Sequence, residues 1–214
     1  MRTLAFVVCC SLASSATADL VNPLAPDWRG DADTSYYQWD SFTQAFGAPN
    51  FPSVPPGPPA VGLYNFQAGA VIAGSGNLYG SNGLNIHIYP MNESPAAPPM
   101  MAVLNISTLG TTLSPETVQG YLGASTGGGE YFDAASSEVR FEQSMGEMGV
   151  MQTLAFTFDF SDWDGGDTTF GFFFRGETPN ISLDAVSLDL NYVPAPGALA
   201  LLGFAGLGAR RRRR

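Results

Sequence analysis

Short runs in which apolar and polar residues alternate are the feature of this chain that most restricts its fold. Residues 84–89, 138–142 and 153–160 each carry apolar side chains at every second position. A period of two gives a β-strand one face for a core and one for water, whereas a helix needs a period of about 3.6. Glycine, proline, asparagine and serine separate the runs. The pattern predicts an all-β, antiparallel two-sheet sandwich, jelly-roll-like in its strand spacing.

Three further runs refine that prediction. Residues 101–106 and 170–174 are apolar almost throughout, which is typical of strands inside a sheet. The last run, residues 181–193, changes the parity of its apolar positions near Asp184 and Ala185, which predicts a β-bulge. We therefore expect about eight or nine strands in a sandwich that spans residues 60–192.

Helical and proline-rich signals are confined to short segments. Residues 36–46 can form a short helix with Trp39 and Phe42 on one side. Pro115 follows Ser114, an arrangement that starts a helical turn, and Gly120 ends it. Six prolines between residues 49 and 59 exclude a helix or a central strand. Residues 19–59 are therefore predicted to be an N-terminal element with a proline-rich loop.

The N-terminus has the three parts of a secretory signal peptide. A basic start at Arg2 precedes an apolar run over residues 4–13, and small residues then lead to Ala16 and Ala18. The apolar run is shorter than the roughly 20 residues that span a bilayer. We predict that residues 1–18 form the signal peptide, with cleavage after Ala18. Both cysteines of the chain leave with it, so the exported protein is expected to have no disulfide.

The C-terminus combines prolines, an apolar stretch and a cluster of arginines. Val193, Pro194 and Pro196 precede an apolar run over residues 198–209. As a helix that run is about 18 Å long, shorter than the ~30 Å hydrocarbon core, which favours a transient membrane anchor. The positive-inside rule keeps the terminal arginines in the cytoplasm and the body outside. Those closing residues are Arg210, Arg211, Arg212, Arg213 and Arg214.

This tail resembles the PEP-CTERM sorting signal of exported proteins in Gram-negative bacteria. The resemblance covers residues 193–214 and lies in the proline motif, the hydrophobic helix and the arginine cluster, with Ala195 where the family usually has glutamate. It implies that an exosortase-type enzyme of the inner membrane processes the tail after transient anchoring. It also implies that the protein ends at the cell surface or in the extracellular matrix.

The body between the two ends is strongly acidic. Residues 19–192 contain all nineteen acidic residues and three of the nine basic ones, which gives a net charge of −16. Such a surface repels nucleic acid and anionic membranes. It is compatible with divalent cations or with a polymer bridged by Ca²⁺, although solubility outside the cell is the favoured explanation.

One acidic cluster has the chemistry of a Ca²⁺ site. Asp159, Asp162, Asp164 and Asp167 lie close together around two glycines, and carboxylates on a bendable backbone suit Ca²⁺. Their spacing does not match an EF-hand. The alternative is a solvated hairpin loop between two phenylalanine-rich strands.

Catalytic signals are weak, and we predict that the chain is not an enzyme. Residues 123–127 fit the G-x-S-x-G pattern, but His87, the single histidine, precedes them and a glycine-rich loop follows. A glycosidase needs only two carboxylates, and the sequence selects no pair. Aromatic residues can stack on sugar rings or anchor loops, the candidates being Trp28, Tyr36, Tyr37, Trp39 and Trp163.

Three functions remain open from the sequence. The first is a structural protein of the cell surface or extracellular matrix. The second is a module that binds carbohydrate such as exopolysaccharide, with or without Ca²⁺, and it predicts a row of aromatic side chains on one sheet face. The third is a secreted polysaccharide-active enzyme, which predicts a cleft with two carboxylates about 5 to 9.5 Å apart.

Overall fold

The computed structural model describes residues 20–55, 61–91, 98–124, 128–165 and 168–192. The predicted signal peptide, with Ala16 and Ala18, and the predicted sorting tail, with its hydrophobic helix, lie outside these residues. The described part of the chain is all-β and forms a sandwich of two antiparallel sheets. Within it, no helix is both long enough and apolar enough to span a membrane.

Twelve strands and two 3₁₀ turns account for the regular structure of the described residues. The strands are β1 (Thr34–Trp39), β2 (Val61–Asn65), β3 (Val71–Ile72), β4 (Leu78–Gly80), β5 (Leu84–Pro90), β6 (Pro99–Gly110), β7 (Gln119–Ala124), β8 (Gly129–Asp133), β9 (Ser136–Ser144), β10 (Val150–Asp159), β11 (Thr168–Gly176) and β12 (Ile181–Tyr192). The turns are Pro115–Thr117, where the sequence predicts a helical turn, and Gly146–Met148.

The two sheets differ in size. The larger, seven-stranded sheet has the order β3-β4-β12-β6-β10-β9, and β1 pairs with β12 beside β4. The smaller, five-stranded sheet has the order β2-β5-β11-β7-β8. The apolar runs at residues 101–106 and 170–174 lie in β6 and β11, which are both interior strands as predicted.

The core lies between the sheets and follows the alternation seen in the sequence. In β5, Leu84, Ile86 and Ile88 are buried while the residues between them are only partly buried. Phe156 and Phe158 of β10 pack in the same hydrophobic cluster from the opposite sheet. The predicted bulge in β12 is confirmed, because the register against β6 shifts between Leu183 and Ala185.

An N-terminal segment, residues 20–33, crosses the outer face of the larger sheet. Asn22 bonds to Arg140 of β9, and the buried Asn105 side chain of β6 bonds to both the N–H and the carbonyl of Leu24. Farther along the chain, Arg29 pairs with Asp189 of β12. This cover explains why the polar side chains of Ser187 and Asp189 in β12 are completely buried.

The helix predicted for residues 36–46 is wrong. Residues 34–39 form β1, which pairs along its whole length with β12 and buries Trp39 completely. The pairing partner lies about 150 residues later in the chain, and this long-range ladder overrides the local periodicity. The segment predicted to be a separate N-terminal element therefore contributes a strand to the larger sheet.

Strand β9 departs from the predicted alternation. Val139 pairs with Leu154, but Phe141 pairs with Thr153, because Arg140 is an extra residue in the strand. Directly paired residues share a face, so Val139 and Phe141 point to opposite faces instead of jointly to the core. Val139 is 57% exposed, since β9 is an edge strand.

Candidate functional site

The smaller sheet carries a row of side chains across its outer face. The strand register aligns one residue from each strand. Tyr64 pairs with His87, His87 with Phe173, Phe173 with Gln119, and Gln119 with Asp133. Since directly paired residues share a face, these five side chains form one line across all five strands. The neighbouring strand positions, such as Ile86 and Phe172, face the core.

Further rings flank this line and make it continuous. We define the aromatic face as the seven ring-bearing residues of this outer surface: Tyr64, Phe66, His87, Tyr89, Tyr121, Tyr131 and Phe173. Every member touches another member. Tyr64 and Tyr89 stack with centroids 4.5 Å apart, and Tyr131 lies 5.8 Å from Phe173.

His87 lies at the centre of the aromatic face. The rings of Phe66 and Phe173 meet it edge-on from both sides, at centroid distances of 4.9 and 4.7 Å. Burial lowers the pKa of His87, and the positive charge of Arg175 lowers it further. At neutral pH the imidazole is therefore uncharged, and the aromatic face behaves as an apolar surface with polar edges.

Two glycines let rings of the aromatic face lie against the sheet. A Cβ atom at position 171 would be 2.8 Å from Cζ of Phe173, and one at position 123 would be 2.7 Å from the hydroxyl of Tyr121. Both distances are shorter than a Cβ contact allows. Glycine at these positions therefore lets each ring lie flat over the strand, as in the pairing of aromatic residues with glycine in designed sheets.

The variant Gly171→Ala is expected to move the Phe173 ring without unfolding the protein. Gly171 has ordinary strand geometry, so alanine is tolerated and the free energy of unfolding should change by less than about 1 kcal/mol. The displaced ring should shift the aromatic NMR signals of His87 and Tyr131, which contact it. Gly74→Ala is the matched control, because its Cβ would meet nothing within 4 Å. Unchanged signals in Gly171→Ala would contradict the packing described.

A groove of about 500 Å³ opens beside Phe173 and Tyr131. Polar residues supply the rest of its wall, namely Asn85, His87, Glu116, Thr117, Gln119, Arg175 and Glu177. The 3₁₀ turn before β7 brings in Glu116 and Thr117, and the end of β11 brings in Arg175. The arrangement places ring faces beside hydrogen-bonding groups within one concave surface, which is the usual character of a ligand site.

None of the predicted Ca²⁺ ligands is a member of the aromatic face. Asp159 ends β10, where its carboxylate accepts a hydrogen bond of 2.9 Å from the Ser161 amide, which lowers the pKa of Asp159. Asp162 and Asp164 are exposed in the following turn, and Asp167 lies outside the described residues. Over the ranges that the structure describes, no three acidic, histidine or cysteine side chains gather as metal ligands. The four-residue Ca²⁺ site stays a prediction.

The aromatic residues singled out in the sequence are not members of the aromatic face. Trp39 is fully buried, Trp163 packs against Phe132, and Tyr36 lies beneath the Arg29 guanidinium. The sequence signal that identifies the aromatic face is the parity of its residues within the strands. Tyr89 and Phe173 occupy strand positions that alternate with core residues, where polar side chains are normal, so rings there point out of the core.

The groove contains two carboxylates, as an enzyme would require. Glu116 and Glu177 both line it, and both are exposed. Their exposure differs from the hydrophobic pocket that raises the pKa of the general acid in lysozyme. Ser125 of the G-x-S-x-G pattern lies outside the described residues.

Comparison with protein-family models and with curated proteins finds no match for this chain. The chemistry of the aromatic face must therefore be inferred from its own residues.

Proposed function

We propose that this chain is an exported protein of the cell surface or extracellular matrix, and that its aromatic face binds polysaccharide there. The observation that carries the proposal is the continuous row of rings across the smaller sheet, with the polar groove beside it. Export rests on residues 1–18 and surface sorting on residues 193–214.

Sugar polymers fit this combination of surfaces better than other extracellular ligands. A pyranose ring presents C–H groups that pack on an aromatic ring and hydroxyls that need hydrogen-bond partners. Tyrosine supplies both in one side chain, and the aromatic face contains Tyr64, Tyr89, Tyr121 and Tyr131. Nucleic acid is a poor alternative, because its continuous phosphate backbone requires several cationic side chains, and residues 19–192 contain three arginines and no lysine.

The strand order supports the jelly-roll form of the sandwich. Strands β4-β12-β6-β10 of the larger sheet face β5-β11-β7-β8 of the smaller one, and the chain alternates between the sheets from β4 to β7. Two four-stranded antiparallel sheets with such crossovers are the arrangement of a jelly roll, a fold that lectin domains use. The remaining strands extend the sheet edges.

The sorting tail completes the proposal. An exosortase-type enzyme would read Val193, Pro194 and Pro196 while the hydrophobic run anchors the chain transiently in the inner membrane. Release would leave the sandwich in the extracellular polymer, where a polysaccharide-binding face could hold it. Ca²⁺ at the acidic loop would add a second, independent link to an anionic matrix.

Replacing Tyr131 or Phe173 by alanine is expected to weaken polysaccharide binding by roughly five- to thirtyfold, since loss of one central aromatic contact costs about 1–2 kcal/mol. Tyr131 is 60% exposed, so its removal should leave the fold intact. Affinity electrophoresis of the full-length chain in gels that contain single polysaccharides measures the effect. Met148→Ala is the matched control, because Met148 is also 60% exposed and lies in a turn of the larger sheet.

Each outcome of this experiment decides between the functions. Retardation that both variants lose and the control keeps supports a binding face. Equal retardation of all variants would mean that sugar binds elsewhere, and no retardation in any gel would leave a structural role for the sandwich. Release of reducing ends during the same incubations would instead identify an enzyme.

A further inference from the structure

The three arginines of the body differ in how their charges are used. Arg29 binds both carboxylate oxygens of Asp189, and Arg140 pairs with Glu138 at 3.2 Å. The guanidinium of Arg175 is exposed and forms no ion pair with any residue within the described ranges. The sequence contains no lysine, and Arg175 differs from the other two arginines of the body, which are both in ion pairs.

Arg175 stands on the same face as the rings. It follows Phe173 by two positions in β11 and pairs with Asn85, while Phe173 pairs with His87. The Thr117 hydroxyl lies 2.9 Å from the carbonyl oxygen of Arg175 and accepts a 3.3 Å hydrogen bond from its amide. These contacts hold the backbone of Arg175 against the 3₁₀ turn, so its side chain starts from a fixed position in the groove wall.

We propose that this groove selects an acidic sugar: a uronate residue of the bound polysaccharide pairs its carboxylate with Arg175 and packs its ring against Phe173 and Tyr131. The inference rests on the proposed function and names the class of polymer. A guanidinium presents a planar pair of N–H donors that matches a carboxylate in two parallel hydrogen bonds, whereas neutral hydroxyls do not require it. The amide group of Asn85, whose oxygen bonds His87 at 3.0 Å, leaves its N–H₂ for a sugar hydroxyl.

The acidic neighbours explain why the cation must act locally. Glu116 and Glu177 line the same groove, and the net charge of −16 over residues 19–192 opposes long-range attraction of a polyanion. Recognition therefore depends on direct contact with Arg175 at short range. A protein with a general basic patch would bind any polyanion. This groove should instead distinguish a sugar with a carboxylate at the Arg175 position from one without it.

The test compares polymers that differ only in their carboxylates. Polygalacturonate, alginate and hyaluronate are each paired with their carboxyl-reduced forms, and affinity electrophoresis of the full-length chain at about 0.15 M salt measures retardation. We expect at least one acidic polymer to bind roughly tenfold tighter than its reduced form. Arg175→Gln should abolish that preference, and Arg175→Lys should restore only part of it because the planar fork is lost.

Arg140→Gln is the matched control, because Arg140 lies on β9 of the other sheet. It should leave the preference for the acidic polymer intact, and melting curves check that all variants are folded. Equal binding of acidic and reduced polymers, or an unaltered preference in Arg175→Gln, would overturn the acidic-sugar inference while polysaccharide binding stands. Failure of every polymer to bind would overturn both proposals.

Discussion

The variant Arg29→Met is expected to lower the free energy of unfolding by about 3 kcal/mol or more at pH 7, because it leaves a buried carboxylate without its cation. Asp189 is completely buried, and the two hydrogen bonds from Arg29 measure 2.5 and 2.7 Å. The guanidinium also lies 4.2 Å from the centroid of the Tyr36 ring, so its loss removes a cation–π contact. Methionine retains much of the apolar stem.

The effect of Arg29→Met should depend on pH. Burial raises the pKa of Asp189, and Arg29 opposes that rise. A carboxyl group whose folded pKa exceeds its unfolded value destabilises the fold as pH rises through the folded value, and it costs nothing when protonated in both states. Removing Arg29 raises the folded pKa further. The difference between variant and wild type should therefore be largest near pH 7 and shrink towards pH 4.

Urea unfolding at both pH values measures this prediction. The double variant Arg29→Met with Asp189→Asn is the control, because it removes the buried charge together with its partner and should recover much of the loss at pH 7. A loss of less than about 1 kcal/mol, or one that is equal at both pH values, would show that water reaches Asp189. It would also mean that the N-terminal segment is held mainly by Leu24 and Asn105.

The strands that could be predicted from the sequence are those with a local signal. The alternation over residues 84–89 and the uniform apolar run at residues 170–174 each predict which side chains are buried without knowledge of the strand they pair with. Both segments are strands of the expected kind. The β12 bulge was likewise visible as a change of parity. In these cases the polarity of each residue and the two-residue period of a strand are enough to predict the strand and its buried face.

Elements that depend on distant partners could not be predicted in this way. β1 is a strand because its residues pair with β12, whereas the periodicity of residues 36–46 taken alone predicts a short helix. The N-terminal segment has no periodicity, and its position depends on single contacts such as that of Arg29 with Asp189. This contact joins residues 160 positions apart, and no local sequence pattern predicts it.

The aromatic face was foreseen as a requirement of sugar binding, but its residues were not. Its members come from five strands, and only the register brings Tyr64, Phe173 and Tyr131 onto one surface. The role of Arg175 in the groove could not be predicted either, because the sequence does not tell which arginines form ion pairs. The surface is thus a product of sheet order, and a shift of β11 by one residue would turn Phe173 into the core.

A second large effect is expected from Asn50→Ala, which should lower the free energy of unfolding by about 3 kcal/mol. The buried Asn50 side chain accepts hydrogen bonds from the amides of Thr43 and Gln44, both at 2.8 Å. It donates to the carbonyl oxygens of Gln44 and Leu63 at 2.9 and 3.4 Å. Each backbone group left unpaired away from water costs about 1–3 kcal/mol, so partial rehydration still leaves a substantial loss.

Urea unfolding and hydrogen exchange at Thr43 and Gln44 measure the effect of Asn50→Ala. Asn50→Asp keeps both acceptor contacts and loses both donors, so it should protect these two amides while still destabilising the loop, and the exposed Asn82→Ala is the control. A loss of less than about 1 kcal/mol in Asn50→Ala would mean that the loop of residues 43–50 is held mainly by the backbone hydrogen bonds between Asn50 and Leu63. Because Leu63 lies in β2 beside Tyr64, a loosened loop should also weaken the proposed polysaccharide binding at that edge of the aromatic face while sparing the groove at Arg175.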